Sequence, residues 1–373
     1  MTDYLAQRTR KIDASGIRKA FALAGTLQNP VNFSIGQPDF DVPDPIKEAA
    51  ILAIQEGWNR YSQTSGDSRL LERIREKVRQ DTGWGNPLCM VTSGVSGGLL
   101  LAFLALVDPG DEVIIVDPYF VIYKQLTNLL DGRCVFVDSY PDFRLPTAQI
   151  AAAVTSKTKM IILNSPANPT GTVYTEEEIR TIAEIAQKHD LILLIDEIYD
   201  AFCYEQPNPC VGRFYEKTLL LRGFSKSAAM TGWRVGYAAC SPALEPLMEC
   251  MNVIQQYSFV CAPTPFQIAA ITALDYDNRP YIQQYRQKRD RLVEGLKGYY
   301  TLQKPGGAFY LFVQKPDWAA NASEFVKTAI ENNVLIIPGN VFSEKDTHFR
   351  ISYAAADRDI ERGIDILRRL AKR

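Results

Sequence analysis

Lys226 closes the run Gly223-Phe224-Ser225-Lys226, and Arg234-Val235-Gly236 begins eight residues later. A lysine amine just past an apolar, strand-like run can condense with an aldehyde to form a Schiff base. The small residues before it let backbone approach a phosphate, and the arginine after it can clamp that phosphate. A cofactor that carries both an aldehyde and a phosphate meets the whole set, and pyridoxal 5'-phosphate (PLP) is of that kind. Taken alone, a lysine at a strand end is more often a solvated surface residue. What singles out Lys226 is the company it keeps.

Further polar clusters follow apolar runs, at the strand ends where open α/β sheets build their sites. Asn164-Ser165-Pro166-Ala167-Asn168-Pro169-Thr170-Gly171 comes after Met160-Ile161-Ile162-Leu163, and Asp196-Glu197-Ile198-Tyr199 comes after residues 191–195. The plain readings are a turn at Asn168, a helix cap at Asp196 and a core aromatic at Tyr199. Together, however, each residue type answers one need of a pyridine cofactor. An aspartate keeps the ring nitrogen protonated, so that the ring draws electrons. A tyrosine hydroxyl and an asparagine amide stabilise the ring's phenolate oxygen. A charged hydrogen bond of the first kind contributes about 1.5–3 kcal/mol.

Elements of an α/β fold must hold these groups. Strand-like runs at 112–116, 159–163, 191–195, 218–221 and 235–239 alternate with amphipathic stretches such as 175–189, which opens on the capping pattern Thr175-Glu176-Glu177-Glu178. This pattern predicts a largely parallel sheet. The last hundred or so residues carry shorter strands at 308–313, 334–337 and 349–353 and a closing helix at 357–372, which predicts a smaller α+β domain. At 373 residues the chain is long for one core, so two domains are expected. A net charge of −2 argues against broad nucleic-acid or membrane binding. The start lacks the pattern of a signal peptide, and no apolar run is long enough to span a membrane. Seven scattered cysteines without a C-x-x-C pair read as reduced thiols in the cytoplasm. With only His189 and His348 present, no multi-histidine metal centre is expected.

The ordered set of motifs resembles the class I/II aminotransferases of PLP fold type I, in particular the bacterial and archaeal aspartate, aromatic and related enzymes. The resemblance runs nearly end to end. It comprises Ser34-Ile35-Gly36-Gln37-Pro38-Asp39-Phe40-Asp41-Val42-Pro43, Arg60-Tyr61 with Gly66, and Asp117-Pro118-Tyr119-Phe120. It continues through Asn168-Pro169-Thr170-Gly171, Asp196 with Tyr199, the lysine segment with Met230-Thr231-Gly232-Trp233-Arg234, and Phe349-Arg350-Ile351-Ser352-Tyr353. It implies a large domain at 46–278 with a mostly parallel seven-stranded sheet. Residues 1–45 and 279–373 would form a discontinuous small domain.

The resemblance also implies roles. Lys226 would hold the cofactor and shuttle the reaction's proton, with Asp196 at the ring nitrogen and Tyr199 and Asn168 at the phenolate oxygen. Phe120 would stack on one ring face and Ile198 on the other. Arg234, Ser225 and the backbone N–H groups of Val95 and Ser96, which open an apolar helix, would hold the phosphate. Tyr61 would reach the phosphate of a neighbouring subunit in a homodimer. Arg350 would clamp the substrate α-carboxylate, with Gly36 and Asn168 completing that site.

Two departures matter. Glycine stands at 223 where some relatives have a phosphate-binding serine. Ser96 stands where dicarboxylate-specific relatives carry lysine, which favours neutral or aromatic donors over aspartate. Tyr119, Tyr123, Tyr257 and Phe259 are candidates for an aromatic-friendly pocket or for core packing. The expected activity is transfer of an amino group from an L-amino acid to a 2-oxo acid such as 2-oxoglutarate. The alternatives are a PLP-dependent carbon–sulfur β-lyase of the same fold and, less favoured, a non-catalytic regulator.

Overall fold

The computed structural model describes residues 4–13, 16 and 27–372. Within the N-terminal share of the expected small domain, residues 1–3, 14, 15 and 17–26 lie outside this set, as does residue 373.

Seven strands form the main sheet: β2 (Leu88–Thr92), β3 (Glu112–Asp117), β4 (Arg133–Asp138), β5 (Thr158–Asn164), β6 (Ile192–Asp196), β7 (Thr218–Gly223) and β8 (Gly236–Cys240). Their spatial order is β2-β8-β7-β6-β5-β3-β4, and only β8 runs against the rest. The central strands are buried on both faces, which is why they read as unbroken Val, Ile and Leu runs. Five of these strands match the sequence expectation to within a residue or two at each end. The strands β2 and β4 were not expected. β4 lies at a sheet edge with only one of its six residues buried, so its hydrophobic signal is weak.

Helices cover the sheet. Gly94–Leu106 follows β2 and is apolar almost throughout, since most of its surface faces protein. Glu176–Lys188 begins with the expected capping box, in which Thr175 and Glu178 satisfy each other's backbone N–H groups.

The C-terminal part forms a three-stranded antiparallel sheet in the order β11-β12-β9, from β9 (Tyr310–Gln314), β11 (Ile337–Pro338) and β12 (His348–Ser352). The run expected as one strand at 334–337 is two. Val334–Leu335 (β10) pairs in parallel with Val31–Asn32 (β1), and the chain then bends so that Ile337 pairs with Arg350. The segment after β1 continues this docking, because Phe33 N donates to Leu335 O and Ser352 N to Phe33 O. The closing helix spans Asp357–Ala371, as expected. No helix among the described residues is long and apolar enough to cross a membrane.

Candidate functional site

The carboxyl ends of β5, β6 and β7 lie side by side, with Asn164 in register with Asp196 and Asp196 with Leu221. Register therefore sets three polar clusters from distant stretches of sequence next to one another. Above them opens a cavity of about 460 Å³. Its lining includes Gly36, Val95, Ser96, Phe120, Asn168, Asp196, Ile198, Tyr199, Ser225, Lys226, Arg234 and Arg350, which are the expected site residues with one exception. The exception is Tyr61, which is 81 % exposed and lies outside this cavity.

Lys226 sits in the short helix Phe224–Ser227, immediately after β7. Its Nζ donates to Gly36 O at 2.5 Å, bridging the N-terminal loop to the main sheet. Burial pushes the amine down to about 8, the Arg350 and Arg234 cations push the same way, and Asp196 opposes them. A lysine so placed releases its proton more readily than a solvated one.

Asp196 is not a helix cap. Its Oδ1 accepts from Ile198 N at 3.1 Å within a turn, and its Oδ2 accepts from Tyr123 Oη at 2.8 Å. Burial raises the carboxyl to about 6, against the lowering effect of those two hydrogen bonds and of Lys226. Behind it, Glu197 and Arg222 form a buried ion pair at 2.6 Å that ties the end of β6 to the end of β7.

Arg350 is fully buried on the central strand of the small sheet. Its Nη1 donates to Asn168 Oδ1 at 3.0 Å and its Nη2 to Ser34 O at 2.9 Å, while Nε has no partner. An unpaired buried guanidinium N–H is costly unless a ligand meets it, and a carboxylate is the matching acceptor. Because Asn168 Oδ1 faces Arg350, its amide NH2 is left to donate elsewhere.

Arg234 is the second arginine of the cavity. Its Nη1 donates to Thr231 O at 2.8 Å and approaches Ser225 Oγ at 3.5 Å, and its Nη2 approaches Ser93 O at 3.5 Å. Glycine makes room there. A Cβ on Gly94, whose φ is +66°, would stand 2.5 Å from Arg234 Nη2, and one on Gly236 would stand 2.9 Å from Val95 N. This is a cradle of backbone at a helix start, next to a guanidinium, and it suits a phosphate. The residues therefore fit a ligand with an aldehyde, a phosphate and a protonatable ring nitrogen.

Of the four aromatic candidates, none lines the cavity. Tyr119 and Tyr123 are buried, and Tyr257 and Phe259 are exposed. Tyr123 nevertheless matters, because its hydroxyl holds Asp196. Sequence reasoning missed this role, and it also missed Tyr310, whose Oη lies 2.8 Å from Tyr199 Oη. Both tyrosines sit in otherwise apolar runs, where nothing in the local pattern separates a functional hydroxyl from a packed ring.

Sheet, cavity and charged groups together define an α/β enzyme of PLP fold type I. The comparisons agree. The family model described as aminotransferase class I and II matches residues 28–367. A probable aspartate aminotransferase of Methanocaldococcus jannaschii is 38% identical, over 98% of this chain and 99% of its own length. Aromatic-amino-acid aminotransferase 2 of Thermococcus litoralis is 34% identical, over 99% and 98% of the two chains. The solved aspartate aminotransferase from Thermus thermophilus with maleate superposes with a TM-score of 0.94 at 32% identity, covering 99% of this chain and all of that one. The chain belongs to the class I and II aminotransferase family.

Proposed function

We propose that the cavity binds PLP and that the chain uses it to move an amino group from an L-amino acid to a 2-oxo acid such as 2-oxoglutarate. Neutral and aromatic donors are favoured in this reading, with aspartate possible. The observation that carries it is the convergence of Lys226, Asp196, Arg234 and Arg350, from separate elements, on one cavity.

When bound, PLP supplies an aldehyde that condenses with amines and a protonated ring that draws electrons from the amino acid's α-carbon. The chain does the rest. Arg234, Ser225 and the N–H groups of Val95 and Ser96 hold the phosphate. Asp196, kept ionised by Tyr123 and Ile198 N, holds the proton on the ring nitrogen. Tyr199 and Asn168 donate to the ring oxygen. Phe120 and Ile198 confine the ring faces and exclude water. Arg350 orients the donor through its carboxylate, and Lys226 Nζ takes up the α-proton and returns it.

Two features support the donor preference. With Arg234 assigned to the phosphate and Arg350 to the α-carboxylate, no arginine or lysine other than Lys226 lines the cavity among the described residues. Ser96 adds no charge, whereas Ile35 and Leu99 add apolar wall. The exposed Tyr61 supports a homodimer in which it reaches the partner's phosphate site. The reading also keeps the division into 46–278 and 1–45 with 279–373, supported by the pairing of β1 with β10, and a cytoplasmic location.

The test is the visible absorption of protein reconstituted with PLP, followed as single amino acids are added. A band that bleaches with a donor and returns with an oxo acid supports transfer and identifies the donor. A band that persists while pyruvate and thiol accumulate from cysteine conjugates points to the lyase. Lys226→Ala should fold normally, lack the band and lose nearly all turnover. A fully active Lys226→Ala protein would overturn the mechanism.

A further inference from the structure

We propose that Tyr310 is a positioning residue: its hydroxyl donates to Tyr199 and so turns the Tyr199 proton into the cavity, while its ring seats the guanidinium of Arg350. The inference rests on the reading of Tyr199 as a donor to the cofactor's ring oxygen.

Tyr310 opens β9, is buried and lines the cavity. Its ring meets that of Tyr199 edge to face, with centroids 5.6 Å apart, and the two hydroxyl oxygens are 2.8 Å apart. The Arg350 guanidinium lies 4.4 Å over the Tyr310 ring and 4.5 Å over Phe342, so two aromatic rings hold the cation. One side chain thus touches both the carboxylate clamp and the tyrosine of the ring site.

The direction of the shared hydrogen bond follows from proton counting. A tyrosine hydroxyl has one proton to give. Were Tyr199 to give its proton to Tyr310, it would have none for a ligand. The more acidic partner is the better donor, and that partner is Tyr310. Burial raises both phenols, and Tyr199 goes well above its ordinary value because the adjoining Tyr310 raises it further, with Arg350 lowering it only in part and Asp196 adding the smallest rise. Tyr310 is raised too, but the Arg350 cation against its ring offsets part of the rise. Having accepted a hydrogen bond, Tyr199 becomes a stronger donor in turn, since linked hydrogen bonds polarise one another. The loop helps to fix Tyr310 in place: a Cβ on Gly36 would stand 2.8 Å from Tyr310 Oη, so backbone packs closely beside the hydroxyl.

The experiment is a pH titration of the visible band of the PLP-loaded protein, comparing wild type, Tyr310→Phe, Tyr199→Phe and the double variant. Phenylalanine keeps the ring on Arg350, so the donor KM of Tyr310→Phe should stay near wild type while kcat falls. A weakened donor leaves the ring oxygen more basic, so its titration midpoint should rise, by less than the roughly half to one pH unit that losing one whole neutral hydrogen bond would give. Tyr199→Phe should shift at least as far, and the double variant no further than Tyr199→Phe. An unmoved midpoint in Tyr310→Phe beside a shifted Tyr199→Phe overturns this inference and leaves the proposed function standing. So does a double variant whose shift equals the sum of the two. An unmoved midpoint in both single variants removes Tyr199 from the ring oxygen and takes this inference with it.

Discussion

Asp196 and Lys226 face one cavity, and burial works against the charge of each. In the cofactor-free protein Asp196 keeps its proton up to about 6, whereas an unfolded chain releases it near 3.8. Between those values the folded state binds more protons than the unfolded one. Stability is therefore fullest below the lower value, falls as pH rises towards 6 and is level above it, by roughly 3 kcal/mol for this group. Asp196→Asn should remove that fall. Urea midpoints of both cofactor-free proteins at pH 4 and pH 6.5 check it, and an equal pH slope in the two would count against the assignment. The types of these residues were legible in the sequence. Their pKa values were not, because those depend first on how deeply the fold buries them and then on how Tyr123, Arg350 and Arg234 pack around them.

Two elements meet at the proposed phosphate cradle: the helix start after β2 and the loop carrying Arg234. Gly94 holds a left-handed backbone there, and a side chain would collide with Arg234. Gly94→Ala should therefore displace the guanidinium and cost one charge-assisted hydrogen bond to the ligand. PLP affinity should drop by about 10- to 100-fold, the equivalent of about 1.5–3 kcal/mol. Titrating cofactor-free protein with PLP measures this, while thermal unfolding separates it from a general loss of stability. At this scale the sequence showed that an apolar helix opens near Val95, but the strand before it, β2, escaped notice. β2 pairs with β8 at a sheet edge, and its short run Leu88-Cys89-Met90-Val91-Thr92 carries little period of its own.

For the whole molecule, Tyr61 and several apolar side chains are exposed, among them Ile51, Leu52, Trp58, Val253 and Tyr257. Exposed apolar surface of this kind is usual at subunit contacts. If each site borrows Tyr61 from a partner, Lys226→Ala and Tyr61→Ala chains should complement one another. Random reassortment makes half of the dimers mixed, each with one intact site of two, so about one quarter of all sites should recover. Activity that does not rise after mixing and re-equilibration would place Tyr61 outside the partner's site.

The sequence by itself determined the chemistry on offer. Lys226, Asp196, Tyr199, Arg234 and Arg350 stand in motifs whose residue types match a cofactor's needs, and the alternation of buried runs with amphipathic helices foretold the sheet. Only the tertiary structure decided which groups meet. Tyr123 reaches Asp196 across 73 positions of sequence, Tyr310 reaches Tyr199 across 111, and Arg350 reaches Asn168 across 182. Such contacts leave no periodic mark on either segment. They arise from strand register and from the docking of the C-terminal sheet, and they set which hydroxyls and which charges meet.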